Sequence, residues 1–217
     1  MRRLPFLLAL MLAIAGAPVF AAKPPKNTRQ LTLAATPSTV VFGSSTKLSG
    51  RLTGNPAAGQ DVKLQADGFP FDKFKEIATV TTASTGAYSF TVTPTLNTAY
   101  RTTVKGKPPA TSPQVLVRVR MKLSLAVSDS SPKASELVRF RGSVKPQHDG
   151  NIVAIQKRRH DGSYKTVAHA RLRDAGAVRS RYSRRVRIRR SGVYRVKAPA
   201  DADHASGLSR RRRITVD

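Results

Sequence analysis

A β-strand pattern occurs twice in this chain: Lys47-Leu48-Ser49-Gly50-Arg51-Leu52 recurs 92 positions later (47 to 139) as Arg139-Phe140-Arg141-Gly142-Ser143-Val144. In both copies apolar residues alternate with polar ones, the period of a strand with one buried face. Two further segments recur at similar offsets: Phe74-Lys75-Glu76-Ile77-Ala78 as Tyr164-Lys165-Thr166-Val167-Ala168, and Thr98-Ala99-Tyr100-Arg101 as Gly192-Val193-Tyr194-Arg195. A near-constant offset predicts two copies of one fold that differ in loop length.

The first 21 residues have the pattern of a secretory signal peptide. Arg2 and Arg3 precede an apolar run, which ends at the cleavage-like segment Val19-Phe20-Ala21. The run is shorter than a bilayer span usually needs, which disfavours the alternative of a membrane anchor. We therefore predict a leader over residues 1–21, a flexible lead-in over 22–29, and a secreted, extracellular protein without a transmembrane segment in its mature chain.

From Gln30 onward the chain reads as β structure. Short runs rich in Val, Leu, Ile, Thr, Tyr and Phe alternate with polar residues and are separated by turn-forming residues. The runs predict strands near 30–35, 46–53, 61–66, 74–82, 87–93, 98–105 and 113–120, then near 122–128, 136–144, 151–157, 164–171, 178–189, 192–198 and 209–216. Seven strands at this spacing fit an immunoglobulin-type sandwich. We predict an all-β chain of two tandem immunoglobulin-like β-sandwiches, over 30–120 and 121–217.

The junction between the two copies carries no linker signal. Residues 115–125 contain no Gly, Pro or Asn, and apolar alternation continues through them. The last strand of the first copy is therefore expected to run directly into the first strand of the second, which restricts motion compared with a Gly/Ser linker.

The turn-Tyr-Arg segments give each copy a family resemblance. Asn97-Thr98-Ala99-Tyr100-Arg101, and Ser191-Gly192-Val193-Tyr194-Arg195 with the Pro199–His204 segment after it, resemble the immunoglobulin-like repeats of secreted bacterial proteins of the actinobacterial type. The resemblance covers about residues 30–217. It implies extracellular adhesion, spacing or display, with no shared catalytic residues. The chain has no cysteine and no tryptophan, so the disulfide and tryptophan of antibody-type domains are absent.

Charge is the strongest chemical signal. Removing the leader leaves 37 basic and 12 acidic side chains, a net charge of +25. Residues 119–217 hold 25 basic and 8 acidic side chains, and residues 22–118 hold 12 and 4. A chain of this charge attracts polyanions at low salt, whatever its evolved role.

Arginines follow a strand period near the end of the second copy. Val186 and Ile188 alternate with Arg185, Arg187 and Arg189, which predicts two inward side chains and a row of arginines on the solvent face, about 6.5–7 Å apart. The hypothetical polyanion-binding residues are Arg179, Arg181, Arg185, Arg187, Arg189, Arg211 and Arg213. The last two extend the row if their strand lies in the same sheet. The alternative is a solvated face whose like charges discourage edge pairing.

Two aromatic residues mark a loop of the first copy. Phe69 and Phe71 flank Pro70 between the third and fourth predicted strands. Aromatic side chains at a loop tip can contact a partner. Equally, the loop could fold back over the edge of the sandwich.

No metal or catalytic site is predicted. Asp201-Ala202-Asp203-His204 groups two carboxylates and an imidazole, which could hold Ca²⁺ or a transition metal. A calcium site, however, needs about six oxygens, and too few others are in view. A polar loop, with Asp201 forming an Asx turn, is the preferred interpretation. The chain offers no nucleophile elbow, no phosphate-cradling glycine loop and no carboxylate pair with a convincing catalytic placement, so we predict no cofactor and no enzymatic activity.

These observations leave two functions. The first is a non-enzymatic secreted or cell-envelope interaction module, held on anionic cell-wall polymers by its basic second copy or bound to a protein partner. The second is an extracellular nucleic-acid or polyanion binding protein that uses the same arginines. Salt dependence and ligand preference distinguish the two. The sequence does not define an oligomeric state.

Overall fold

The computed structural model describes residues 28–217, and this part of the chain is all β, without a helix. The predicted leader and the lead-in up to residue 27 lie outside the described residues. Arg29, at the end of the lead-in, is buried, and its guanidinium donates to Lys105 O and to Gln60 Oε1, both at 3.0 Å. The expectation of a loose segment does not hold at Arg29, because its guanidinium finds two acceptors.

Ten strands form the N-terminal half, residues 28–120. They are β1 (Gln30–Leu31), β2 (Ala34–Thr36), β3 (Thr39–Val41), β4 (Thr46–Thr53), β5 (Asp61–Gly68), β6 (Lys75–Thr81), β7 (Ala87–Val92), β8 (Thr98–Val104), β9 (Ala110–Thr111) and β10 (Val115–Arg120). One sheet has the order β1-β4-β2 with β7 also paired to β4, and the other has the order β3-β10-β8-β5-β6 with β9 paired to β8.

Ten more strands form the C-terminal half, residues 121–217. They are β11 (Lys122–Leu123), β12 (Ala126–Val127), β13 (Glu136–Lys145), β14 (Ile152–Arg158), β15 (Tyr164–Arg171), β16 (Arg173–Asp174), β17 (Ser180–Ile188), β18 (Gly192–Ala198), β19 (Gly207–Leu208) and β20 (Arg212–Ile214). One sheet has the order β11-β13-β17-β16 with β12 paired to β13, and the other has the order β15-β14-β18-β19 with β20 paired to β18.

Each half buries one hydrophobic core between its two sheets. In the N-terminal half, Leu48 of β4 and Val62 of β5 come from different sheets and share one core. In the C-terminal half, Phe140 of β13 and Ile155 of β14 do the same. Along the long strands the inward residues alternate with more exposed ones, as expected of strands with one buried face. The protein is therefore all-β and sandwich-like.

In each half, a glycine without a side chain leaves room for a tyrosine hydroxyl to pack against the backbone of the sheet. Tyr182 donates its hydroxyl proton to Ser124 O at 2.6 Å, and a Cβ on Gly142 would overlap that carbonyl oxygen. Gly50 stands in the same relation to the Tyr88 hydroxyl, which donates to Thr32 O. A glycine inside a strand is typical of a bulge or of a close approach by another element, and at Gly50 the structure has the close approach.

The two halves are joined without a linker. Met121 alone separates β10 from β11, and its side chain is buried in the core of the C-terminal half. The expectation of a continuous β connection is therefore met. Ala205 of the C-terminal half donates its N–H to Val119 O at 2.8 Å. A main-chain hydrogen bond therefore joins the two halves beside the connection.

Candidate polyanion-binding surface

The outer face of β17 carries the predicted arginines because the strand alternates. Ser180, Tyr182 and Ile188 are buried, whereas Arg181 and Arg185 are exposed. Arg187 is exposed as well, and its guanidinium donates to Ser135 O at 2.8 Å. The strand therefore presents Arg181, Arg185 and Arg187 to solvent, with Ser183 between the first two.

Neighbouring strands add arginines directly opposite this row. Arg139 of β13 is paired with Arg185, and Arg173 of β16 is paired with Arg181. Paired residues in antiparallel strands lie on the same face, about 4.5–5.5 Å apart. Like charges in these positions repel and cost a few tenths of a kcal/mol each. An anion between them would remove that cost.

The face is concave. A groove of about 540 Å³ is lined by Arg139, Arg173, Arg181, Tyr182, Ser183, Arg184 and Arg185. We call this groove, with its five arginines, the arginine face. Its lining contains no carboxylate, so its guanidinium groups are free to bind an anion.

No arginine of residues 28–217 takes part in an ion pair. The ion pairs of these residues are Lys63–Glu76 and three contacts of His148 and His204 with aspartates. The positive charge of the arginine face is therefore not neutralised within the described chain.

The remaining predicted arginines lie elsewhere. Arg179 precedes β17 and Arg189 follows it; both are exposed. Arg213 lies on β20 and Arg211 immediately precedes it, and β20 pairs with β18 in the other sheet of the C-terminal half. These two arginines were expected to extend the row only if their strand lay in the sheet of β17. It lies in the other sheet, so they do not extend the row.

The aromatic pair lies in the predicted loop. Phe69 and Phe71 follow β5 and are 38% and 42% exposed. Their rings form an edge-to-face pair with centroids 5.9 Å apart. The loop is held at its base, where Phe69 donates its N–H to Asn97 O at 3.0 Å. The exposed aromatic pair is therefore preformed and available to a partner.

Sequence reasoning missed two arginines of this face, Arg139 and Arg173, and it recognised Arg184 as part of the arginine run without including it among the binding residues. Arg139 opens the recurring stretch, and the alternation of Arg139, Arg141 and Ser143 with apolar residues was a usable signal that they share the outer face. Which strand lies beside which could not be read from alternation.

A second polar cluster lies where the two halves meet. His148, in the β13–β14 connection, and Asp201, Asp203 and His204, in the β18–β19 connection, place one ligand atom each within 4.8 Å of one another. Asp201 accepts the His204 N–H at 2.8 Å, which fits the expected turn role of Asp201. Residues 201–204 were treated as a local loop because the sequence could not show that His148 lies against it.

The two carboxylates of this cluster titrate apart. Burial raises the pKa of Asp201, and its hydrogen bond with Asp203 raises it further. Burial also acts to raise the pKa of Asp203, but its interactions with the side chains of Asp201 and His204 outweigh that effect and hold it below its ordinary value.

Comparison with known proteins supplies no family. No protein-family model matches the chain, and none of the curated proteins compared matches its sequence. Among residues 28–217 there is also no helix with the length and apolarity to cross a membrane.

Proposed function

We propose that this protein is a non-enzymatic, secreted or cell-envelope interaction module of two tandem immunoglobulin-like sandwiches, which binds anionic polymers of the cell wall through the arginine face. The observation that carries the proposal is the groove of five arginines with no paired carboxylate. Two core clusters without shared strands support the division into two sandwiches.

Matched side-chain arrangements support the proposal of two copies. In the N-terminal half Arg101 lies 4.1 Å from the centre of the Phe74 ring, and its Nε donates to Gln65 Oε1 at 2.7 Å. In the C-terminal half Arg195 lies 3.5 Å from the Tyr164 ring and donates to Gln156 Oε1 at 2.9 Å. Both glutamines adjoin a register shift of the sheet. The recurring Tyr-Arg and aromatic segments therefore have one structural role in both halves.

The chemistry of the groove suits phosphate or other tetrahedral anions. Guanidinium groups form two parallel hydrogen bonds to such an anion. Their spacing is about 5 Å across strands and about 6.5–7 Å along a strand, which would let several arginines engage successive groups of one polymer.

The test compares two variants of equal charge. The first replaces Arg139, Arg181 and Arg185 of the arginine face by Gln, and the control replaces Arg210, Arg211 and Arg213, which lie outside it. Binding of each to inorganic polyphosphate and to duplex DNA is measured by fluorescence anisotropy from about 50 to about 200 mM salt. The first variant should lower the salt slope by about two to three, because each neutralised contact removes about 0.9. The control should change it little.

Two results decide between the candidate functions. At about 150 mM salt, the wild-type protein is sedimented with purified cell walls and its binding is compared with its binding to DNA. Stronger binding to the cell walls than to DNA supports the envelope module. Stronger binding to DNA at that salt supports the nucleic-acid alternative instead. Equal loss of binding in the two variants would mean that net charge acts alone, and would overturn the role of the arginine face.

A further inference from the structure

The cluster at the meeting point of the two halves has the composition of a metal site. It contains two imidazoles and two carboxylates from two separate connections of the C-terminal half. The side chains of His148 and His204 are only 7% and 4% exposed. Nitrogen and oxygen ligands of this kind suit divalent transition metals.

His204 has a defined tautomer. Its Nε2 lies 2.8 Å from Thr95 O, and a carbonyl oxygen can only accept, so Nε2 carries the proton. In the neutral ring Nδ1 then carries a lone pair. This nitrogen is buried without a hydrogen-bond partner, although Asp203 Oδ1 lies 3.1 Å away and Asp201 Oδ1 lies 4.0 Å away. A lone pair is therefore directed at two carboxylates.

His148 repeats the arrangement with its nitrogens exchanged. Its Nδ1 lies 2.9 Å from Pro146 O and is fixed as the donor, so Nε2 of the neutral ring presents its lone pair to Asp201 Oδ2 at 3.0 Å. Ligating histidines commonly donate their other ring N–H to a backbone carbonyl, which fixes tautomer and orientation. Both histidines here have that support.

We propose that His148, Asp201, Asp203 and His204 together bind one divalent transition metal ion, with Zn²⁺ as the best fit. The ion would supply the positive charge that two lone pairs and two carboxylates lack. The competing arrangement is a set of ion pairs in which the imidazoles are protonated. That arrangement would leave His204 Nδ1 with a proton outside hydrogen-bond geometry, which is why the metal is favoured.

The geometry needs little rearrangement. Metal–ligand distances of about 2.0–2.2 Å in a tetrahedron place ligand atoms roughly 3.4 Å apart. The three contacts described here are 3.0, 3.1 and 4.0 Å, and none of the ligand atoms is more than 4.8 Å from another. Shifts of under about 1 Å therefore complete the site. A neighbouring groove of about 400 Å³, lined in part by His148 and Asp201, gives the ion a path from solvent.

The site would be structural. Four protein ligands fill a tetrahedral zinc site and leave no position for a reacting water. Because His204 also donates to Thr95 of the N-terminal half, the metal would fix the loop that holds the two halves together.

The experiment measures zinc binding by the purified full chain after chelator treatment and dialysis. Titration against a chromophoric chelator should give one site per chain, and added Zn²⁺ should raise the thermal midpoint. Co²⁺ at the same site should give the intense visible absorption of a four-coordinate ion. The variants His148→Gln and Asp203→Asn should each weaken zinc binding at least 100-fold. The control variant His160→Gln, at an exposed turn outside the cluster, should bind as the wild type does.

The inference is overturned by either of two outcomes. One is a wild-type chain whose thermal midpoint does not respond to an equivalent of Zn²⁺, which is the result expected of ion pairs. The other is equal weakening of zinc binding by His160→Gln. Circular dichroism of each variant shows whether it is folded, and Asp203→Asn keeps the size of the side chain. The metal site shares no residue with the arginine face. The polyphosphate experiment therefore tests the proposed function alone, and the zinc titration tests the metal site alone.

Discussion

Gly142 and Tyr182 show how a single residue shapes the sheet. The Tyr182 hydroxyl is held over the backbone of Gly142, where it donates to Ser124 O at 2.6 Å. Burial raises the pKa of Tyr182 well above its ordinary value, so the hydroxyl remains a donor at physiological pH. A side chain at position 142 would occupy the space of that hydrogen bond.

We expect Gly142→Ala to lower the free energy of unfolding by about 2–3 kcal/mol, the range of overpacking in a tight site. Its Cβ would overlap the Ser124 carbonyl oxygen, which is backbone and cannot move aside cheaply. The matched control is Gly192→Ala, whose Cβ meets only the flexible end of the Lys157 side chain. Urea unfolding measures both. Equal stability of the two variants would contradict this account.

The strands β13 and β17 place like-charged arginine side chains opposite each other. Because Arg139 lies opposite Arg185, Arg185→Glu replaces a like-charge pair by an opposite-charge pair and should raise the free energy of unfolding by about 0.5 kcal/mol at low salt. The gain should shrink as salt screens it. The control Arg213→Glu makes the same change of charge opposite Val193 and should give a smaller gain. Urea unfolding at two salt concentrations compares them, and an equal gain would assign the effect to net charge.

Long strands were predictable from sequence and short ones were not. The strands 46–53, 164–171 and 192–198 have the predicted bounds because alternation continues over seven or eight residues. The predicted strand 30–35 divides into β1 and β2, and β3, β9, β16 and β19 were missed. A segment of two or three residues is too short to show an alternation of apolar and polar residues. Whether it forms a strand depends on the strands that lie beside it in the fold. The arginine row on β17 was predicted for the same reason as the long strands, whereas Arg173 depends on the short β16.

The arrangement of the whole molecule depends on contacts that no local pattern reveals. The segment Asp201–Ala205 of the C-terminal half meets the Thr95–Asn97 segment of the N-terminal half through main-chain and side-chain hydrogen bonds. Asn97 is central to them: its N–H donates to Asp203 O at 2.8 Å and its Nδ2 donates to Ala202 O at 3.5 Å, while its Oδ1 accepts the Val119 N–H at 2.9 Å within the N-terminal half. The sequence predicted the continuous strand at the junction but could not predict this lateral clamp, since its partners are about 105 residues apart.

Asn97→Ala tests whether the clamp makes the two halves unfold together. The substitution leaves the part-buried Val119 N–H without its acceptor, which costs about 1–3 kcal/mol. Scanning calorimetry of the wild type should show one cooperative transition, because contacts between the halves couple their unfolding. The variant should show a lower midpoint and two separable transitions. The control Gln114→Ala, at an exposed position of the same half, should keep the single transition. If Asn97→Ala also unfolds in one step at the wild-type midpoint, the Asn97 side chain is not what couples the halves, and the coupling rests on the main-chain contacts and the β10–β11 connection.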